Sequence, residues 1–366
     1  MSEWKTTELG NVITLKRGYD LPQQKRKSGL IPIFSSSGVS GSHNTAMVKA
    51  PGVITGRYGT IGQVFYADTD FWPLNTTLYV EDFHGNDPQF IYYFLKTLAW
   101  EKFTSASAVP GINRNTVHKE IVRIPDVETQ RIIAKYLLMI DEKIKNNEQI
   151  NDNLQQQALA IFQQELLCEG KLPEGWVSGS LLDIANYLNG LAMQKYRPVD
   201  GEKGLPVIKI KELRQGTYDV SSELCSPNIK PEYIVHDGDV IFSWSGSLLV
   251  DLWCGGTCGL NQHLFKVTSE KYPKWFYYAW TAHHLARFVA IAADKATTMG
   301  HIKREELAKA EVVIPDAASM ERIGGILQPM YDLIISNRIE NRKLAALRDT
   351  ILPQLMSGEL DVSDLT

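Results

Sequence analysis

The stretch IPDVETQRIIAKYLLMIDEKIKNNEQINDNLQ runs from Ile124 to Gln155, and IPDAASMERIGGILQPMYDLIISNRIENRKLA runs from Ile314 to Ala345. A shift of 190 residues superposes the two. It places Ile133 on Ile323, Leu137 on Leu327, Ile140 on Met330, Ile144 on Ile334, Leu154 on Leu344 and Ile161 on Ile351. Within each copy the matched positions step alternately by four and three, apart from Ala158 facing Arg348, which is the heptad period of a left-handed coiled coil. About 40 residues at 1.5 Å each predict a rod of roughly 60 Å. The polar exceptions repeat as well, with Asn147 on Asn337 and Asn151 on Asn341. Asparagine at a seam position costs stability and sets register. With the copies antiparallel, Asn147 would face Asn341 and Asn151 would face Asn337. A compact segment before the first copy and another between the two favour the antiparallel arrangement.

The repeat continues into the flanking segments with slipping offsets. Trp4, Leu9, Val12 and Gly18 match Trp176, Leu181, Ile184 and Gly190. GVITGRYG (52–59) matches DVIFSWSG (239–246), LNTTLYV (74–80) matches LNQHLFKV (260–267), and FIYYFL (90–95) matches WFYYAW (275–280). Kept order with changing offsets is what loop insertions between retained core elements produce. The expected layout is a domain over 1–125, a helix over 126–170, a second domain over 171–315 and a second helix with a tail over 316–366. The class is α+β. GVITG, QVFYA and TTLYV read as strands, 88–104 and 273–292 as amphipathic helices, and KEIVRIPD and KAEVVIPD as short strands delivering the chain to each long helix. The helix exits LCEGKLPEGW and LMSGELDVSD also echo one another, so the tail around Gly358 to Val362 is expected to dock on the first domain and close the duplicate into a ring of approximate twofold symmetry.

The 366 residues carry a formal net charge of −4, which by itself argues mildly against a nucleic-acid partner. The charge is segmented. Residues 1–125 hold 13 basic and 10 acidic side chains and 171–315 hold 16 of each, whereas 126–170 hold 4 and 8 and 316–366 hold 5 and 8. A DNA partner would meet the two globular segments, and the acidic helices suit protein contacts. No apolar run is long enough to span a bilayer and no secretory signal is visible at the start, so the cytoplasm is the expected compartment. Cys168, Cys225, Cys254 and Cys258 lack a second ligand pair at metal spacing and read as buried thiols.

A search for catalytic chemistry returns little. Asp126, with Asp141, Glu142 and Lys143, mimics the acidic–acidic–lysine pattern of metal-dependent nucleases, but the later residues lie in a heptad helix and the second copy has Asp316 without the lysine. There is no phosphate-binding Walker loop, no Asn-Pro-Pro-aromatic methyltransferase motif and no metal spacing around His283 and His284. What recurs is a set of polar loops at equivalent points of both copies. In the first domain these are Lys25, Arg26 and Lys27, Ser36 with its serine neighbours, Arg57 and Tyr58, and Asn113, Arg114 and Asn115. In the second they are Lys209, Lys211, Arg214 and Gln215, then Ser243, Trp244 and Ser245, then Lys295, Thr297, Thr298, His301, Lys303 and Arg304. Arg and Lys reach guanine, Asn and Gln suit adenine, and hydroxyls serve bases or phosphates.

With its two IPD exits into paired helices, its W-x4-L openings, GRYGTIG, SWSGS and LNTTLYV/LNQHLFKV, the whole chain resembles the specificity subunits of type I restriction–modification systems. The resemblance implies two target recognition domains held apart by an antiparallel coiled coil. It implies a bipartite, asymmetric double-stranded DNA site, two docked methyltransferase subunits and added restriction subunits. It implies no catalytic residue, metal or cofactor in this chain, with S-adenosylmethionine, ATP and Mg2+ used by the partners. A duplicated protein-interaction scaffold without a DNA role, and a fused-enzyme remnant with its own nuclease or methyltransferase activity, are the alternatives.

Overall fold

The computed structural model describes residues 4–104, 110–167, 170–294 and 302–362. The chain forms two compact units, one from Met1–Lys143 with Leu344–Thr366 and the other from Ile144–Lys343. Two unbroken helices, Val127–Leu166 and Ala317–Ser357, contribute to both.

The Ile-Pro-Asp motif ends a strand and caps a helix. Ile121–Pro125 pairs antiparallel with Trp4–Glu8, and Glu311–Ile314 with Val177–Ser180. The aspartate follows directly in the first copy and after Pro315 in the second. Asp126 accepts from Thr129 N at 2.9 Å and from Thr129 Oγ1 at 3.0 Å, and Asp316 accepts from Ser319 N at 2.7 Å. These bonds satisfy amides that the first helical turn leaves free, and they hold both carboxyls below their ordinary pKa. Asp126 is therefore committed to helix capping. Asp141 accepts from Tyr93 Oη at 2.7 Å and from Arg348 Nη1 at 2.6 Å, so the nuclease-like spacing is a structural network.

In the first unit a four-stranded sheet has the order Thr14–Arg17, Thr77–Asp82, Gly52–Gly56, Val64–Ala67, all antiparallel. A smaller sheet orders Gly38–His43, Ile31–Ser35 and Trp72–Pro73. In the second unit the matching sheet has the order Asn186–Asn189, Leu264–Thr268, Val240–Ser243, Leu249–Leu252. Its smaller companion orders Leu224–Cys225, Leu205–Ile208, Cys258–Leu260 and Ile234–Val235. The duplication reaches single bonds. Gly18 N donates to Thr77 O at 3.1 Å, and Gly190 N to Leu264 O at 3.0 Å. A Cβ on either glycine would stand 2.2 Å from a carbonyl oxygen, of Leu74 in one unit and Asn261 in the other, so only glycine permits this approach.

Helix Pro88–Lys96 opens with Asp87 accepting from Phe90 N at 2.9 Å. It presses Phe90, Ile91, Phe94 and Leu95 into a core shared with Ile133 and Leu137 of the first long helix and Leu352, Leu355 and Met356 of the second. The helix expected to reach residue 104 stops at Lys96. Thr97 Oγ1 takes the Phe94 carbonyl at 2.8 Å and the Trp100 indole takes the Leu95 carbonyl at 2.8 Å, which ends the helical ladder. Its counterpart is two helices, Lys274–His283 and Leu285–Asp294. They pack with Phe162 and Leu166 of the first long helix and Ile323, Leu327 and Ile334 of the second.

The long helices run in opposite directions alongside one another in the second unit. Asn147 Nδ2 donates to Asn341 Oδ1 at 2.8 Å, Asn337 Nδ2 to Asn151 Oδ1 at 2.9 Å, and Arg322 bonds the Glu165 carboxylate at 3.2 and 2.6 Å. In the first unit Arg348 meets Asp141 in the same sense. The tail docks in the first unit: Val362 is 3 % exposed in its core and Arg123 Nη1 donates to Ser357 O at 3.4 Å. Cys225, Cys254 and Cys258 are free and buried, and Cys168 lies outside the described residues. No helix among the described residues is long and apolar enough to cross a membrane.

Candidate nucleic-acid interface

The first unit brings three of its four polar segments together. Where strand Gly52–Gly56 ends, Arg57 N and Tyr58 N both donate to Thr76 O, at 2.9 and 3.2 Å. Ile112 N donates to Arg57 O at 3.0 Å, which fastens the 111–115 segment to the same turn. A Cβ on Gly111 would stand 2.1 Å from the Tyr58 ring. The Arg57 guanidinium lies 4.5 Å from the centroid of that ring, so the basic group is held over an aromatic face. Ser36 borders the turn, its Oγ 3.4 Å from where a Cβ of Gly59 would be. Asn113 Oδ1 accepts from Asn115 N at 3.0 Å, and Arg114 Nη1 reaches Leu15 O at 3.5 Å. The three side chains of Asn113, Arg114 and Asn115 are exposed.

Lys25, Arg26 and Lys27 belong to another place. Lys27 N donates to His43 Nδ1 at 3.0 Å and Arg26 Nη1 to Ser40 O at 3.2 Å. The hairpin register pairs Ile31 with His43 and Ser35 with Gly38, so Lys27 and Ser36 lie toward opposite ends of the hairpin, roughly 13 Å apart along the strands. Lys25 and Lys27 are exposed and Arg26 is half-buried.

The second unit builds the same joint from different side chains. Ile302 N donates to Trp244 O at 3.0 Å, the counterpart of Ile112 on Arg57. Trp244 Nε1 donates to Asn189 Oδ1 at 3.0 Å and its ring lies 5.6 Å from that of Phe265. Lys303 and exposed Arg304 follow directly, as Asn113 and Arg114 follow Ile112. Two serines are corrected. Ser243 is fully buried, its hydroxyl donating to Ser247 O at 2.9 Å, and Ser245 is 2 % exposed, bonded to His263 Nδ1 at 3.1 Å. A serine between a central strand and a tight turn spends its hydroxyl on the turn, and neither offers a surface contact. In their place the structure brings half-buried Gln262 and His263 beside Trp244. Sequence reasoning used LNQH only as part of the repeat match with LNTT.

Helix Ile210–Gln215 lies against this turn through Ile210, 3.6 Å from where a Cβ of Gly246 would be. Its cations differ in availability. The Lys209 ammonium is bound to Glu223, which Arg197 also engages, and Lys211 is bound to Asp219 at 3.1 Å. Hydrogen bonds from the Ser221 hydroxyl, the Lys211 ammonium and the Ser221 N–H hold Asp219 down at about 2. Arg214 and Gln215 are exposed. Lys295, Thr297, Thr298 and His301 lie outside the described residues. Among the described residues no group of three or more His, Cys, Asp or Glu side chains is arranged to hold a metal ion. His284 is buried, its Nε2 against Glu311 O at 2.8 Å, and burial pushes its pKa down.

A family model of the type I restriction modification DNA specificity domain matches residues 1–156 and again residues 173–347. The chain belongs to that family. Both copies of the joint between strand-end turn and helix-entry segment fall within the matched ranges. As a DNA specificity protein of this family, it serves in the recognition of DNA sequence. It is 22% identical to the type I restriction enzyme MjaIX specificity subunit of Methanocaldococcus jannaschii, over 76% of this chain and 70% of that one. It is 20% identical to the type I restriction enzyme HindI specificity subunit of Haemophilus influenzae, over 82% and 84%. Its fold is similar to the crystal structure of a type I restriction-modification system S subunit from M. genitalium, with a TM-score of 0.66, 16% identity and coverage of 97% and 96%.

Proposed function

We propose that each unit of this specificity protein reads one half of a bipartite, asymmetric double-stranded DNA site, mainly through the major groove, while the paired helices set the unspecified gap between the halves. One observation carries this reading. The same backbone joint, Ile112 on Arg57 and Ile302 on Trp244, occurs in both units with unlike side chains around it. A repeated frame suits two half-sites on one duplex, and Arg57, Asn113 and Arg114 against Trp244, Lys303 and Arg304 suit halves of different sequence.

The chain then supplies addressing and no bond-making residue. Its contact set is the list of loop residues above, less Ser243 and Ser245 and extended by Gln262 and His263. Two methyltransferase subunits dock on the helices and methylate an adenine in each half with S-adenosylmethionine, flipping the base out of the stack. Restriction subunits that use ATP and Mg2+ join the assembly. DNA is bound through Lys and Arg contacts whose affinity falls with salt.

The experiment removes one heptad from each long helix and maps the recognised sequence with methyltransferase partners present. Seven residues at 1.5 Å shorten the span by about 10 Å, or about three base pairs. The expected gap is shorter by that amount with both half-sites unchanged, and an unaltered gap refutes the spacing role. A gel shift with a randomised duplex pool in the same mixture separates this reading from a scaffold that never touches DNA.

A further inference from the structure

Arg338 and Arg342 lie one turn apart on the second long helix and both face the globular part of their own unit. Arg342 forms a two-pronged bond with Asp237, each guanidinium nitrogen 2.8 Å from a carboxylate oxygen, and its Nη1 also donates to Cys254 O at 2.5 Å. Arg338 Nη1 donates to Asp251 Oδ1 at 2.7 Å and to Leu252 O at 3.1 Å. About one turn before Arg338, Ile335 lies against Gly238, 3.5 Å from where a Cβ there would be. The carboxylates belong to the sheet framework. Asp251 lies in strand Leu249–Leu252 of the larger sheet. Asp237 sits between strands Ile234–Val235 and Val240–Ser243, accepting from Gly256 N at 2.7 Å. The clamp thus ties one helix to both sheets of the unit.

The duplicate lacks it on both sides. Asp251 pairs with Ile241 as Phe65 pairs with Ile54, and Asp237 corresponds to Ala50. In the 190-residue repeat Arg338 and Arg342 correspond to Glu148 and Asp152. The first unit is fastened elsewhere, through Tyr93, Asp141 and Arg348, where the second has Tyr278, Tyr331 and Ala158. Two arginines and two carboxylates present together in one copy, all four positions changed in the other, mark a specific joint.

We propose that Arg338 and Arg342 are positioning residues that fix the angle of the second recognition unit on its helices and thereby sharpen selectivity for gap length. The inference rests on the reading that two units read two half-sites. A planar guanidinium on a carboxylate fixes direction as well as distance, which a hydrophobic contact does not. Changing the gap by one base pair moves a half-site by about 3.4 Å and turns it by about 35° around the duplex axis. A stiff joint rejects that change, and a joint free to swivel absorbs part of it.

The test uses the full chain with its methyltransferase partners and duplexes carrying the recognised gap or a gap one base pair shorter or longer. In R338Q/R342Q the ratio of affinities for the correct over the altered gap is expected to fall about tenfold, with the base preference in each half-site kept. R342K, which keeps the charge and loses the two-pronged bond, gives an intermediate ratio and covers the case in which the double variant fails to fold. R322Q, which removes an ion pair at Glu165 on the same helix pair, leaves the ratio unchanged. If the Arg338 and Arg342 variants lose affinity for all three duplexes by one common factor, the residues are merely structural and the proposal is overturned. If the unaltered protein itself shows no gap preference, the two-half-site reading fails and this inference with it.

Discussion

Asn151 and Asn337 give the sharpest test of how the helices are paired. They are 5 % and 7 % exposed, with Asn337 Nδ2 donating to Asn151 Oδ1 at 2.9 Å and Asn151 Nδ2 reaching Ile334 O at 3.4 Å. Leucine at Asn337 alone strips the donor from a buried acceptor, at a cost of about 1–3 kcal/mol. Burial of the leucine contributes about 1.5–3 kcal/mol in the other direction. The single variant therefore lands near zero, and leucine at Asn151 alone does the same, leaving the Asn337 amide short of its acceptor. In the double variant no orphan remains and both apolar gains stand, so the helix pair becomes more stable by about 3 kcal/mol or more.

The quantity to measure is the excess of the double variant over the sum of the singles, expected at about 2–4 kcal/mol, against a few tenths for independent sites. Hydrogen exchange of helical amides in residues 144–166 and 317–343 reads it without requiring the whole chain to unfold in one step. Additivity within about 0.5 kcal/mol, or a double variant less stable than either single, refutes the amide pairing. The stabilised double variant is also expected to hold its register less strictly, because a polar seam pair penalises slippage that leucines accept.

Two further outcomes follow from the first unit's tail and the second unit's clamp. Deleting residues 358–366 removes buried Val362, so the first unit is expected to lose about 1.5–3 kcal/mol, seen by calorimetry as a lower unfolding temperature for that unit alone. Burial works to raise the Asp237 carboxyl, but the Arg342 guanidinium, the Gly256 N–H and nearby His236 outweigh it and hold the pKa below its ordinary value. A depressed carboxylate stabilises the fold above its unfolded pKa of about 3.9, and loses that contribution as the pH falls through the folded value. Protection of the helix around Arg342 should accordingly decline below about pH 4, and D237N should remove that dependence.

The features legible in the sequence are those that burial and period dictate. The heptad seam, the asparagines at its midpoint and the strands GVITG and TTLYV could be read because an apolar interior tolerates few residue types and repeats them at fixed steps. Ile-Pro-Asp was read as the strand exit into each long helix, but the capping role of its aspartate was not, although Asp-x-x-Thr and Asp-x-x-Ser are helix-start patterns. The interface was less legible. Ser243 looks the same in a string whether its hydroxyl faces solvent or closes a turn, and Lys209 gives no local sign that Glu223, fourteen residues on, binds it. The halt of a helix at Lys96 depends on an indole four residues later reaching back for a carbonyl. Each depends on where one side chain points, and spacing rules carry no information about that.

Comparison of the two units separates what the family fold requires from what a recognition site requires. The positions that repeat are backbone constraints: Gly18 and Gly190 under a carbonyl, a helix-capping aspartate after Ile-Pro, an isoleucine amide on a turn carbonyl. Side chains projecting from those constrained points do not repeat. Arginine over tyrosine in one unit stands where tryptophan beside histidine stands in the other. Keeping the frame while altering the groups it presents supports the proposal that the two units read different sequences on one duplex. On the proposed reading, the arginine clamp, found in the second unit and replaced at all four positions in the first, extends the same asymmetry from the loops to the helix they are mounted on.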